Sequence, residues 1–253
     1  MLSIPLIKYV FMAALRDRLM ISLAIVLVVG ASLGVFLGSA AIVEKTQFTA
    51  VFTGAGLRLV SVFGLVLFVV FFIRRAFESK DIEFLLSRPV GRLEIIFSFA
   101  AAFSVLCVLI GLGVAACVVA VSPTLFSSGH LMWIGSVMVE TIIMANTALF
   151  FSMYISSASS AAMATFGVYV LGRLMGQFLG IVDSPLIDDQ GGYAVIMQLV
   201  SVVMPRLDLL GQSSWLLYGV QDGYSFLFAL GQGVFYSALV LLAASFDFIR
   251  REF

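Results

Sequence analysis

Three ionisable side chains sit where a chain of this kind carries almost none. Arg58, Glu140 and Arg173 each fall inside a long apolar run. A charge in hydrocarbon costs several kcal/mol, so such a residue faces a cavity or a partner and is a functional candidate by default. Glu140 lies nine residues into the run 131–155, Arg173 nine residues from the end of 161–182, and Arg58 ten residues into 48–73. At 1.5 Å per residue all three are about 14 to 15 Å below the same surface. Equal depth allows one cluster. The competing arrangement pairs Glu140 with Arg173 as a structural ion pair and lets Arg58 snorkel from a span that begins near Leu57.

Other chemistries lack their residues. His130 is the only histidine, so neither a two-histidine metal site nor a His-Glu-x-x-His motif can be assembled. It also lies too near the surface for an intramembrane serine protease. Cys107 and Cys117 are ten positions apart, about 280° around a helix, and make neither a disulfide framework nor a metal site. No Gly-x-x-x-x-Gly-Lys-Ser/Thr run is present to cradle nucleotide phosphates. No catalytic residue and no metal ligand is assigned.

The elements that position the three charges follow from composition. The 253 residues are 62% hydrophobic and 11% charged, with a mean hydropathy of +1.16. These values exclude a water-soluble single domain, and a net charge of zero leaves no basic excess for nucleic acid. Six runs have the roughly 20 apolar residues a span needs: 19–43, 48–73, 95–121, 131–155, 161–182 and 226–246. The first is too long for a signal-peptide core and is read as a retained span. The run 193–204 is only 12 residues long and is followed by Pro205, which suits an interfacial or re-entrant helix. The expectation is an all-α, six-span membrane protein forming one transmembrane domain.

Ten of the 14 basic residues fall on one side of these spans: Lys8, Arg16 and Arg18, then Arg74, Arg75, Lys80, Arg88 and Arg92, then Arg250 and Arg251. Short cytoplasmic loops carry this excess, so both termini are expected in the cytoplasm. Lys45 and Arg206 remain on the opposite side, among six acidic residues. Segment 5–18 is a candidate interfacial helix. Segment 76–94 is the one sizeable cytoplasmic loop, with Ile82, Phe84, Leu85, Leu86 and Val90 among its charges. It reads either as a solvated connector or as a docking site in which Asp81, Leu85 and Arg88 share a helix face. Small residues at every fourth position, Gly30, Gly34 and Gly38 in the first span and Gly172, Gly176 and Gly180 in the fifth, predict close helix packing, including across a homodimer interface.

The stretch 78–96 resembles the cytoplasmic segment of the ABC-2 type permeases, the membrane subunits of a large group of ATP-binding-cassette exporters. In that pattern an acidic residue ends the second span, and a Leu-Leu pair, a Pro and an Arg follow before the third. Glu78, Leu85, Leu86, Pro89 and Arg92 occupy those places. The end of the chain, 246–253, and the stretch 205–210 also look like that family, and the nearest flavour is the permease of nitrous oxide reductase maturation systems. Lys80-Asp81 stands where the family often has Gly-Thr, and Ser98-Phe99 where it often has Gly-Lys. The resemblance implies a multi-pass subunit of a bacterial inner membrane, present in two copies and paired with two copies of a separate ATPase. That ATPase would bind ATP and Mg, with no cofactor in this chain. It places coupling on Glu78, Asp81, Glu83, Leu85, Leu86, Arg88, Pro89 and Arg92. The rival reading is an ion-coupled carrier using Glu140, which calls for inverted repeats that the chain does not display.

Reporter fusions are expected to place Leu85 and the C-terminus on the cytoplasmic side and Leu125 and Gln190 on the other. A cytoplasmic Gln190 would overturn the six-span order.

Overall fold

The computed structural model describes residues 3–40, 44–82, 91–121, 127–182, 192–219 and 226–250. Ten helices occur among them: α1 (Ile4–Arg16), α2 (Arg18–Ala40), α3 (Lys45–Glu78), α4 (Arg92–Val121), α5 (Ser128–Tyr154), α6 (Ala158–Val182), α7 (Gly192–Val203), α8 (Leu207–Leu210), α9 (Trp215–Tyr218) and α10 (Phe226–Arg250). The described residues contain no strand, and the fold is all-α. Six helices, α2 to α6 and α10, are long and apolar enough to cross a membrane, and they coincide with the six apolar runs. Backbone groups in hydrocarbon must be satisfied within the segment, which is why such runs fold as helices.

The spans are not equivalent. In α3 and α5, 61% of the spanning stretch is buried within the protein, against 22–28% in the other four. These two helices form the axis around which the others pack, their outer faces left for lipid. Helix α3 has 34 residues, about 51 Å at 1.5 Å per residue, and outruns the roughly 30 Å hydrocarbon core. Near the end of the bundle that carries both termini, Phe68 and Phe72 of α3 meet Phe99 and Phe103 of α4. Three of these pairs lie nearly perpendicular with centroids 5.8–6.3 Å apart, the edge-to-face arrangement favoured by ring quadrupoles.

At that end α1 carries Pro5 in its first turn, where a missing N–H costs nothing. It buries one stripe, Leu6, Val10 and Ala14, while Tyr9, Met12 and Leu15 face outward. Asp17 separates α1 from α2: it ends the first helix in extended conformation, and its carboxylate accepts the Leu19 N–H at 2.9 Å to start the second.

The glycines explain two close approaches. Helix α2 runs antiparallel along α3 so that Gly30 meets Leu57, Gly34 meets Thr53 and Gly38 meets Thr49. A Cβ on Gly34 would lie 3.0 Å from Thr53 Cβ, and one on Gly38 2.8 Å from Thr49 Cβ. In α6, a Cβ on Gly172 would meet the Pro205 carbonyl oxygen at 2.6 Å and one on Gly176 the Asp208 carboxylate at 2.6 Å, whereas Gly180 faces open space. Five of the six ridge glycines are therefore used inside one chain. Both ridges thus make the close packing their spacing predicts, and make it within one chain: in lipid the shortest backbone approaches are made where small residues permit them, and here α3 and segment 205–208 take that place.

Gly34→Val and Gly172→Val should each destabilise the protein by about 1–3 kcal/mol through overpacking, with Gly180→Val near neutral. Melting temperatures in detergent give the comparison. A Gly180→Val loss as large as that of Gly172→Val would contradict this assignment.

Candidate functional site

Each of the three intramembrane charges is presented by a different helix, and the fold brings them together. Arg58 comes from the buried face of α3, Glu140 from α5 and Arg173 from α6. Arg58 Nε lies 3.1 Å from one carboxylate oxygen of Glu140, and Arg173 Nε 3.6 Å from the other. The Arg58 and Glu140 side chains are 1% and 0% exposed, and that of Arg173 is 27% exposed. The snorkelling arrangement is not adopted. The second span begins at Lys45, not near Leu57, so Arg58 has no surface within reach and its guanidinium stays inside.

The arginines do more than neutralise Glu140. Arg58 Nη1 donates to the Leu210 carbonyl at 2.9 Å, and its Nη2 donates to Ser136 Oγ, one turn before Glu140 on α5. The guanidinium stands 5.1 Å from the Trp133 ring centroid, a cation–π distance. Arg173 reaches the Leu207 carbonyl at 3.5 Å and lies 5.9 Å from the Tyr169 ring. Both carbonyls belong to a break in the backbone. After α7 the chain bends by 64° between 195–203 and 207–218, at Pro205, which has no N–H to continue a helix. The expected short apolar helix over 193–204 is α7, and its continuation turns back into the protein. Leu207 and Leu210 are buried, and the carbonyls of this four-residue helix find donors inside the protein: Leu210 from Arg58, and Leu207 from the Gly211 N–H at 3.0 Å with Arg173 beside it.

The fit admits little variation. A Cβ on Gly211 would fall on the Arg173 guanidinium. Arg206 and Asp208 form an internal pair at 2.9 Å beside Gly176, so a fourth and fifth charge border the cluster. Sequence reading placed Arg58, Glu140 and Arg173 at one depth but missed Ser136, Trp133, Gly211 and the carbonyl acceptors. Pro205 was the available signal: a proline closing a run too short to span marks backbone that must find partners at membrane depth.

The opposite end holds the other group of singled-out residues. Glu78 ends α3, Asp81 accepts a hydrogen bond from Ser79 Oγ at 2.7 Å, and Arg92 donates to the carbonyls of Ile249 at 2.8 Å and Phe248 at 3.4 Å, tying α4 to the end of α10. Glu83, Leu85, Leu86, Arg88 and Pro89 lie outside the described residues. Arg75 pairs with Asp17 at 3.3 Å across α3 and the α1–α2 junction. Together with Tyr9, Arg16 and Asp81 they line a polar hollow of about 180 Å³. Burial there pushes the Tyr9 hydroxyl pKa up, and the negative charge of Asp81 adds to the effect. Among the described residues no group of three His, Cys, Asp or Glu side chains is placed to hold a metal ion. No protein-family model and no curated protein sequence matches this chain.

Glu140→Gln strands two guanidiniums at once and should cost about 3–5 kcal/mol, as removal of one side of a buried pair does. Arg58→Gln should cost more than Arg173→Gln, because it removes the shorter contact to Glu140 together with the donors to the Leu210 carbonyl and Ser136, all away from solvent. In the double variant Glu140→Gln with Arg58→Gln the losses should fall well short of additive. Thermal unfolding of the four variants measures this, and additive losses would show that the two side chains do not interact.

Proposed function

We propose that this chain is the membrane-spanning permease subunit of an ATP-driven transporter of the ABC-2 type, working as an exporter. The observation that carries the reading is the unbroken helix α3. One end, at Arg75, joins α1, Asp17 and the start of segment 76–94 in a polar platform. The other part, 17 residues or about 25 Å away, carries Arg58 and the grip on the broken segment 205–211. A push on the platform reaches that segment through one rigid rod. The platform lies at the end rich in basic residues, hence on the cytoplasmic side.

Two copies of the chain, in the inner membrane of a bacterium, would be driven by two copies of a soluble ATPase holding ATP and Mg. The ATPase docks on segment 76–94, and this chain contributes no nucleotide site. An ion-coupled carrier working through Glu140 needs its carboxylate open to a cation, yet two guanidiniums flank it, so the geometry favours the permease.

Purification from native membranes in mild detergent should bring down a P-loop ATPase whose hydrolysis rises on reconstitution with this chain. Leu85→Asp, or Asp81→Arg together with Arg88→Asp, should abolish both effects without lowering the melting temperature. If no nucleotide-hydrolysing partner accompanies the wild-type chain, the class assignment is wrong. If Leu85→Asp couples normally, docking lies elsewhere.

A further inference from the structure

Away from both the buried charges and the platform, a hollow opens on the membrane-facing side between α4, α5 and α10. Its first part, about 730 Å³, is bounded by Glu94, Phe97, Ser104, Asn146 and Leu241. The second, about 600 Å³, runs between Val139 and Ile143 of α5 and Gly233 and Ser237 of α10, and it shares Phe97 and Leu241 with the first. Each part is of the size that accepts a small-molecule ligand, roughly 300–1,000 Å³. Gly233 gives the second part its floor: a Cβ there would lie 2.9 Å from Ile143 Cδ1. Phe97 and Val234 are exposed at its rim, so the hollow is reached from the side.

Polarity changes along its length. Glu94 sits in the first turn of α4, at the end of the bundle carrying the termini. Asn146 is eight residues, about 12 Å, from the end of α5 at that surface, and Ser237 is thirteen residues, about 20 Å, from the end of α10. Beyond Asn146 the walls are apolar apart from the Ser237 hydroxyl. The polar part offers acceptors. Asn146 is 4% exposed, and its side-chain carbonyl oxygen has no hydrogen-bond partner, a costly state for a buried amide. Ser104 already donates its hydroxyl proton to the Ala100 carbonyl at 2.8 Å, leaving only lone pairs. Glu94 takes part in none of the ion pairs among the described residues. Acceptors at an interface, above an apolar channel directed into the bilayer, call for a donor head on an apolar tail.

We propose that this hollow binds a membrane amphiphile with a primary-ammonium head, taken laterally from the leaflet on the side of the termini. The ammonium sits between the Glu94 carboxylate and the Asn146 carbonyl oxygen, and the tail lies along α5 and α10 toward Gly233. The site does not depend on an ATPase, so it stands or falls separately from the transport reading.

The test is native mass spectrometry of the full chain in phosphatidylcholine nanodiscs, titrated with hexadecylamine, hexadecanol, hexadecanoate and butylamine. Hexadecylamine should bind about tenfold or more tightly than hexadecanol or hexadecanoate, the range of one charge-assisted hydrogen bond. Butylamine should not bind. Glu94→Gln and Asn146→Leu should each remove most of the amine preference while leaving hexadecanol binding unchanged, and Ala101→Trp, at a half-buried position lining the first part, should abolish binding of both. Should Asn146→Leu fail to fold, Glu94→Gln and Ala101→Trp decide the matter. Equal binding of the three long-chain heads, or hexadecylamine binding undiminished in Ala101→Trp, overturns the proposal.

Discussion

A peptide carbonyl at membrane depth without a donor is among the costliest features a bilayer protein can carry, and the organisation of this chain follows from one solution to that problem. Past Pro205 the four-residue helix α8 ends inside the protein, where the Leu210 carbonyl accepts from Arg58 and the Leu207 carbonyl from both the Gly211 N–H and Arg173. The buried Arg58 guanidinium and the half-buried one of Arg173 in turn need a counter-charge, which Glu140 provides to both. The helix break, the two cations and the carboxylate thus form a closed set. Removal of any member leaves an uncompensated group in a medium of low dielectric constant.

This requirement explains why α3 and α5 are the most enclosed helices. The residues holding the set must be inside, so the helices presenting Arg58, Ser136 and Glu140 are the ones the others surround. Helix α6, which supplies Arg173, sets its glycine stripe against segment 205–208 and buries Ala161, Ala162 and Tyr169 in the core, leaving its other face outward. At the other end of α3, Arg75, Asp17 and Arg92 fasten α1, α4 and α10 by exposed or half-exposed contacts worth little individually. The half containing the helix break is held by buried charges, and the half containing the platform by apolar packing, with Val10, Ile73, Ile95, Ile96, Phe99 and Phe248 buried there.

Much of this architecture was legible before any coordinates. Span length and position are set by a local quantity, the free energy of placing a run of side chains in hydrocarbon, and the six apolar runs became the six spanning helices. The common depth of Arg58, Glu140 and Arg173 was also readable, since rise per residue converts position into depth without knowledge of the neighbours. The short run ending at Pro205 announced a helix too short to cross by itself.

What only the tertiary structure decided is who meets whom. Depth is one coordinate of three, and rotation about each helix axis is fixed by packing: Arg58, which a local reading sends to the surface, is turned inward and makes the shorter contact with Glu140. The same holds for the glycines. Spacing reveals a flat stripe but carries no information about the surface laid against it, so Gly34 and Gly38 meeting Thr53 and Thr49 of the same chain could not be told from contact with a second copy. Carbonyl acceptors leave no mark in the sequence at all, because every residue has one. Only the course of the backbone past Pro205 determines which of them lie within reach of an arginine.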